Sequence, residues 1–268
     1  MMNITEPAGD ASISDRERKF YGNEGYLVVE NIVAPSEIEA YRDVVDGLVE
    51  GRIDSGESRA DLGGHRARVR QSVENITHIM LPSEVAPWLA TSAFFLRSRE
   101  IARGLLGDDL ERDMDMLIDK APHTDTPTPW HQDQSYWMPG MPDRRSVSCW
   151  LALDETTLDN GCMWFVPGSH RQPICTHRYS GETGHALETD GSETEAVACP
   201  LAAGSATFHD GGTLHYSRGN STPSRRRALI TNFRPAAMIA WERERGYDHR
   251  HELDQLGVES EHVVSRRA

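Results

Sequence analysis

The sequence has no long apolar run and no excess of positive charge. No stretch approaches the roughly 18 apolar residues that a membrane helix needs, so we expect no membrane span. The 268 residues include 42 acidic side chains against 28 lysines and arginines, a formal net charge of −14. Nucleic acids and anionic membranes bind cationic faces, so this charge argues against both partners and favours a small-molecule substrate.

Disulfide signatures and targeting signals are also missing. The four cysteines form no Cys-x-x-Cys pair, and the first residues lack the basic-then-apolar form of a secretory signal. We therefore expect reduced thiols and a cytoplasmic location. The sequence has no internal repeat, low-complexity tract or linker, which predicts a single domain over residues 1–268, with residues 1–13 as a disordered tail.

The first hundred residues carry helical signals. Ser14 and Glu17 have the spacing of a capping box and predict a helix, which is followed by a strand in YLVVENIV. Apolar residues at helical spacing predict a second helix after Pro35, and a third runs through AFFLRSREIARGLLG to end at Gly107. The polar residues 51–75 are expected to form an exposed loop.

Beyond about Glu111, short apolar runs alternate with turns. The runs are DMLIDK, SVSCWLAL, CMWFVPG, EAVACPL, SATFHDG and RALITNF. They predict a mainly β protein, an antiparallel sandwich or barrel with flanking helices. The polar segment 176–196 is expected to be either a solvated connection or a mobile lid over a site. The last thirty residues are expected to form a polar helix or a frayed terminus.

The stretch WHQDQSYW places His131 and Asp133 one residue apart. In a β-strand these two side chains point to the same side, whereas Gln132 points away. The motif alone is weak evidence for a metal site, because His123 and Asp125 repeat it eight residues earlier. We interpret that earlier pair, which lies among threonines and prolines, as loop polarity.

A third ligand from a distant strand would complete two histidines and one carboxylate. That set is typical of non-haem Fe(II) oxygenases, and His215, after a Gly-Gly turn, is the candidate. Arg226 stands eleven residues later and begins the next strand. A guanidinium there has the forked geometry needed to bind the far carboxylate of an α-keto acid.

With these motifs the chain resembles the phytanoyl-CoA dioxygenase family of Fe(II)/2-oxoglutarate-dependent oxygenases. The resemblance extends from EGYLVVENIVAPSEIEAYR through MLIDKAP and WHQDQSYW to LHYSRGNSTPSRRRALITNFRP, and NGCMWFVPGSH is among its most specific blocks. It implies a double-stranded β-helix, the cupin-like jelly roll, with helices against one sheet and the site between the sheets.

The resemblance also implies the roles of individual residues. It makes His131, Asp133 and His215 the Fe(II) ligands. It assigns four residues to 2-oxoglutarate: Arg226, Ser217, Met116 and Trp150. Strand alternation agrees with the last two, because Met116 shares a face with Ile118 and Trp150 shares one with Ser148 and Ala152.

The implied activity is hydroxylation of a C–H bond of a small organic molecule, with 2-oxoglutarate and O2 as cosubstrates and succinate and CO2 as products. Two alternatives stay open: a noncatalytic metal- or ligand-binding jelly roll, and a cupin-type metalloenzyme that does not use 2-oxoglutarate. The family does not identify the substrate.

Five residues are expected to face the substrate cavity: Gln134, Tyr136, Trp137, Asn232 and Arg234. For Arg234, a surface salt bridge is the competing expectation. His209 is expected to support the site or to lie at the surface, and His170 to be structural.

Overall fold

Two mainly antiparallel sheets pack face to face in this computed structural model, which describes residues 3–4, 12–62, 74–180, 186–250, 253 and 256–264. The large sheet has eight strands, in the spatial order β1 (Asn3–Ile4), β2 (Tyr26–Val29), β12 (Ala206–His209), β7 (Val147–Ala152), β14 (Arg226–Pro235), β5 (Leu110–Lys120), β4 (Ile76–Met80) and β3 (Arg59–Asp61). The small sheet has four, in the order β11 (Val197–Cys199), β8 (Met163–Phe165), β13 (His215–Ser217) and β6 (Thr128–His131). A separate ribbon joins β9 (Arg178–Tyr179) to β10 (Leu187–Glu188).

The helices lie outside this sandwich. They are α1 (Asp15–Glu24), α2 (Ile38–Val49), α3 (Pro82–Val85), α4 (Ala93–Leu106) and α5 (Ala236–Arg243). The predicted capping box opens α1: the Ser14 hydroxyl accepts from the Glu17 amide at 3.3 Å, and the Glu17 carboxylate accepts from the Ser14 amide at 2.7 Å. Gly107 caps α4, as predicted.

Two apolar cores lie on opposite faces of the large sheet. Leu27, Leu151 and Leu229 pack against α2 and α4 on the helix side. Their neighbours along the strands, among them Trp150 and Ile230, pack instead against β8 and β11 of the small sheet. This alternation confirms the predicted jelly roll with helices against one sheet.

The expected loop 51–75 needs correction, and the described residues of the two terminal segments add detail to what was expected. The predicted loop 51–75 contains β3, which extends the large sheet; residues 63–73 lie outside the described part. In the predicted N-terminal tail, Asn3–Ile4 pair in parallel with β2, because backbone pairing at a sheet edge requires no side-chain periodicity. The C-terminal thirty residues include the end of α5 followed by turns, and Val263 bridges His177.

The described part of segment 176–196, expected to be a solvated connection or a lid, contacts the outer face of the small sheet. The Thr189 amide donates to the Trp130 carbonyl at 2.9 Å, and Glu193 forms an ion pair with Arg218. The Gly191 backbone lies against the Trp130 ring, so closely that a β-carbon would clash. Residues 181–185 of this segment lie outside the described part.

All four cysteines lie within the described ranges and are free thiols: Cys149, Cys162, Cys175 and Cys199. Among the described residues, no helix has both the length and the apolar character required to cross a membrane.

Candidate metal centre

His131, Asp133 and His215 meet at one end of the small sheet. β6 ends at His131 and β13 begins at His215, and these two residues are direct cross-strand partners. The Asp133 Oδ1 atom lies 3.8 Å from His131 Nε2 and 3.7 Å from His215 Nε2. One ligand atom from each residue lies within 4.8 Å of the other two, so a single cation can contact all three.

Asp133 reaches this position by a turn rather than by strand alternation. The strand ends at His131, Gln132 is extended, and Asp133 begins a 3-10 turn that runs to Tyr136. The expectation that Asp133 lies on the strand with His131 is therefore wrong. Gln132 is buried: its side-chain amide donates to the Gly212 carbonyl at 2.7 Å and accepts from the Cys175 amide at 2.8 Å.

Backbone carbonyls fix the tautomers of the two histidines. The Nδ1 atom of His131 lies 2.8 Å from the Pro129 carbonyl, and that of His215 lies 2.8 Å from the Thr213 carbonyl. A carbonyl can only accept, so each Nδ1 holds the proton and each Nε2 lone pair is free toward Asp133. Burial lowers the pKa of both imidazoles, which favours the neutral form that binds a metal.

The second carboxylate oxygen of Asp133 is held by a chain of polar side chains. Its Oδ2 atom accepts from the Ser148 hydroxyl at 2.6 Å, which in turn accepts from the Asn232 amide at 2.9 Å. His209 Nε2 lies 3.4 Å from the same oxygen. Burial alone would raise the pKa of Asp133, but the contacts with His209 and His215 lower it overall. Oδ1 is thus the oxygen left to face a cation.

Arg226 is a buried cation that forms no ion pair with any residue that the structure describes. Only 1% of its surface is exposed, and its guanidinium lies 5.1 Å from the Trp150 ring. Within the described part of the chain, its Nε and Nη1 atoms have no hydrogen-bond partner. Burial lowers the pKa of Arg226 to about 10. A buried donor without a partner costs about 1–3 kcal/mol, more when it is charged, so this side chain is prepared for an anion.

Lys120, the direct cross-strand neighbour of Arg226, is a second buried cation. Its ammonium donates to the backbone carbonyls of Thr126 and Ser217 at 3.3 Å and of Arg218 at 2.5 Å. Burial, and then the neighbouring Arg226, lower its pKa. Sequence reasoning missed this residue, although its position at the end of the MLIDK strand was a usable signal.

The other residues assigned to 2-oxoglutarate lie in the same region. Trp150 belongs to the core between the sheets, and Met116 and Ile118 pack against it. Ser217 is buried on β13, two residues after His215 and therefore on the same face of the strand.

Three of the five residues expected to face the substrate have other partners. Asn232 supports Ser148. The Tyr136 hydroxyl accepts from the Leu187 amide at 2.7 Å. Gln134 is buried and donates to the Arg144 carbonyl at 3.1 Å.

Arg234 lies neither at the substrate cavity nor in a surface salt bridge. It is fully buried, pairs with Asp113 and Glu242, and lies 4.8 Å from the Trp137 ring. Its two counterions belong to other elements, β5 and α5, so period-2 counting along β14 could not find them.

Three other histidines lie where they were expected. His209 is buried beside Asp133 and supports the site. His170 Nε2 lies 3.2 Å from the Gly22 carbonyl, a contact between a 3-10 turn and the last turns of α1. His123 and Asp125 are exposed, and His123 adopts a φ of 56° in a turn, so this pair is loop polarity as interpreted.

The comparisons with known proteins agree with this geometry. Residues 21–228 match the model of the family described as phytanoyl-CoA dioxygenase (PhyH), and the chain belongs to this family. It is a 2-oxoglutarate-dependent non-haem iron dioxygenase.

Relatives in the family carry several activities in their names. The chain is 26% identical over 253 residues to the ectoine dioxygenase of Streptomyces anulatus, covering 88% of this chain and 83% of that protein. It is 28% identical over 244 residues to a probable alpha-ketoglutarate-dependent hypophosphite dioxygenase of Stutzerimonas stutzeri, covering 84% and 79%.

A similar solved structure is EvdO2 from Micromonospora carbonacea var. aurantiaca, complexed with 2-oxoglutarate. It is 32% identical with a TM-score of 0.70, and the match covers 84% of this chain and 92% of EvdO2.

Proposed function

We propose that His131, Asp133 and His215 hold Fe(II) and that Arg226 binds the distal carboxylate of 2-oxoglutarate, in an enzyme that hydroxylates a C–H bond of a small organic molecule. The observation that carries this proposal is the buried guanidinium of Arg226, whose Nε and Nη1 atoms have no hydrogen-bond partner among the described residues. A dicarboxylate gives that cation a partner. A cupin-type enzyme without 2-oxoglutarate leaves it without one.

The donor set fits iron, because two neutral imidazoles and one carboxylate leave three adjacent coordination positions open. Fe(II), 2-oxoglutarate and O2 supply the C–H oxidation, with succinate and CO2 as products. His131 and His215 offer their Nε2 lone pairs, and Ser148 keeps the Asp133 carboxylate turned so that only Oδ1 is offered.

Aromatic and apolar side chains around Arg226 form the wall of the proposed cosubstrate pocket. Trp150 lies over the guanidinium and limits its movement, and Met116 and Ile230 exclude water from the same core. In a low-dielectric pocket, a bidentate guanidinium–carboxylate pair is stronger than in water. Ser217 adds a hydroxyl for the same carboxylate.

The substrate is proposed only as a small organic molecule. The names of the family relatives, ectoine dioxygenase and hypophosphite dioxygenase, support small-molecule chemistry and differ in the compound. The net charge of −14 supports the absence of a nucleic-acid partner. The free thiols support a cytoplasmic location.

The test is an anaerobic titration of the metal-free protein with Fe(II) and 2-oxoglutarate. We expect the weak visible metal-to-ligand charge-transfer band of an iron–keto acid chelate in the wild type and in a His123→Ala control, and its loss in His215→Ala. Metal binding without the band would favour the cupin-type alternative. A protein that binds neither iron nor 2-oxoglutarate would contradict the proposal.

A further inference from the structure

Residues that follow the family match contact the chain segment directly after Asp133. The match ends at residue 228, and the end of β14, α5 and the C-terminal turns come after it. Five of these later residues, which we call the C-terminal clamp, contact residues 135–140: Arg234, Glu242, Tyr247, Ser260 and Glu261. All five clamp residues thus lie beyond the residues that the family model matches.

The clamp contacts nearly every residue of that short segment. The contacts are Ser260 hydroxyl to Ser135 carbonyl at 3.3 Å, Tyr247 hydroxyl to Tyr136 carbonyl at 3.1 Å, Arg234 Cζ to the Trp137 ring at 4.8 Å, Met138 amide to Glu242 Oε1 at 3.3 Å and Gly140 amide to Glu261 Oε1 at 2.8 Å. The segment is thus held along its length by the C-terminal part of the chain.

A fully buried ion network anchors the clamp to the large sheet. Arg234 pairs with Asp113 at 2.7 Å and with Glu242, and all three side chains are buried. Asp113 is the extra residue of a β-bulge: Met114 and Arg112 on β5 pair with the consecutive residues Asn232 and Phe233 on β14. Removing one member of such a network leaves an unpaired buried charge, so the geometry is strongly enforced.

Asp113, Glu242 and His249 also bring ligand atoms within 4.8 Å of one another, as a metal site would. Their charges are already balanced, however. Asp113 pairs with Arg234 and Arg243, and Glu242 pairs with Arg234. Two guanidinium groups at this position repel a cation, so we interpret the cluster as an anchor.

Asp133 is the ligand that most needs such an anchor. His131 and His215 are held by the pairing of β6 with β13, whereas Asp133 follows the end of its strand and begins the 3-10 turn. The Gln134 amide donates to the Gly211 carbonyl at 2.9 Å at the start of the turn. The other end of the turn, at Tyr136, is held by the clamp.

We propose that the C-terminal clamp positions Asp133 for metal binding, with Glu242 as its central positioning residue, since Glu242 both pairs with Arg234 and accepts from the Met138 amide. This inference rests on the proposed role of Asp133 as a metal ligand. Metal affinity depends on ligand geometry, so loosening the clamp should weaken binding although no clamp residue touches the metal.

The experiment measures Co(II) affinity of the full-length chain by calorimetry, beside urea unfolding. Glu242→Gln should weaken Co(II) binding about tenfold, in the range seen when partners of metal ligands are removed. Tyr247→Phe removes one hydrogen bond and no charge, so it tests the clamp even if Glu242→Gln fails to fold, and it should weaken binding about threefold. Asp46→Asn is the matched control: it breaks the pair with Arg227 on the helix side and should leave Co(II) affinity unchanged.

A second readout uses the reciprocity of linked equilibria. If the clamp favours metal binding, Co(II) must tighten the clamp by the same factor. Hydrogen exchange at the Met138 and Gly140 amides, which donate to Glu242 and Glu261, should therefore slow on adding Co(II) to the wild type, and less so in Tyr247→Phe.

The outcomes separate the two proposals. Wild-type Co(II) affinity in both clamp variants, with no change in amide exchange, would overturn the clamp alone. A wild-type protein that binds no Co(II) would overturn the proposed metal centre, and the clamp with it.

Discussion

The two faces of the large sheet are built differently. On the helix side, Leu27, Leu151 and Leu229 join an apolar core with α2 and α4. On the side of the small sheet, Trp150 and Ile230 share the face with polar or charged residues that are just as deeply buried: Ser148, Asn232 and Arg226.

The difference shows where stability and function reside. Burial of apolar surface on the helix side contributes about 25 cal/mol per Å² to folding. Between the sheets, Arg226 retains buried donors without partners in the described part of the chain, and a ligand can supply these partners. The helix side is thus expected to determine stability, and the inter-sheet side to determine binding. Four experiments test this division.

The largest effect is expected from His131→Ala. Loss of one of three ligands should weaken Co(II) binding by on the order of a thousandfold, because each ligand contributes several kcal/mol to a protein metal site. The free energy of unfolding of the metal-free protein should change by no more than about 1 kcal/mol. Calorimetry and urea unfolding check the two values. If the free energy of unfolding of the metal-free protein fell by as much as the binding free energy, the proposed division between stability and binding would be contradicted.

The converse substitution is Leu48→Ala on α2, where the side chain is fully buried in the helix-side core. We expect it to lower the free energy of unfolding by about 2–5 kcal/mol, through lost apolar burial and the cavity that remains. Co(II) affinity of the folded protein should stay at the wild-type value. A parallel loss of affinity would mean that the helix-side core shapes the site.

Two buried serines give a matched pair of smaller effects. Ser148→Ala removes the donor to Asp133 Oδ2 and should weaken Co(II) binding about tenfold. Ser98 lies on the helix side and donates to the Phe94 carbonyl at 2.6 Å. Both substitutions should lower the free energy of unfolding by about 1 kcal/mol. Ser98→Ala should do so without any change in Co(II) affinity. Equal affinities in the two variants would contradict a special role for Ser148.

A further effect concerns pH. His177 accepts from the Gln132 amide at 3.1 Å, and burial lowers its pKa to about 4. The unfolded chain binds a proton here near pH 6.5 and the folded chain does not, so the free energy of unfolding falls as the pH falls from about 6.5 to about 4. His177→Gln should make this dependence shallower than in the wild type. Urea unfolding across this range measures both slopes.

Local signals in the sequence predicted the elements well. The capping box at Ser14 and the glycine stop at Gly107 are properties of a few adjacent residues, and both appear as expected. Strand alternation correctly placed Met116 and Trp150 toward the space between the sheets. These signals succeed because the conformation that they predict depends on neighbours along the chain.

Contacts between distant residues were the part that sequence reasoning missed. Arg234 pairs with Asp113 at a β-bulge, and Lys120 donates to two carbonyls about a hundred residues away, those of Ser217 and Arg218. Asp133 turns out of its strand, which the period-2 pattern does not encode. The structure nevertheless brings His131, Asp133 and His215 together, as expected. The resemblance to a family could predict this because a family's motifs carry information on which distant residues meet, and periodicity does not.

The most direct test of this account compares Arg226→Met with Arg225→Met, its neighbour on the chain, which pairs with Asp119. We predict that Arg226→Met weakens 2-oxoglutarate binding by on the order of a hundredfold and leaves the free energy of unfolding unchanged or higher, because a buried unpaired charge is removed. Arg225→Met should lower stability, because Asp119 stays buried, and keep 2-oxoglutarate affinity near the wild-type value. An Arg226→Met variant that binds 2-oxoglutarate as tightly as the wild type would contradict the account.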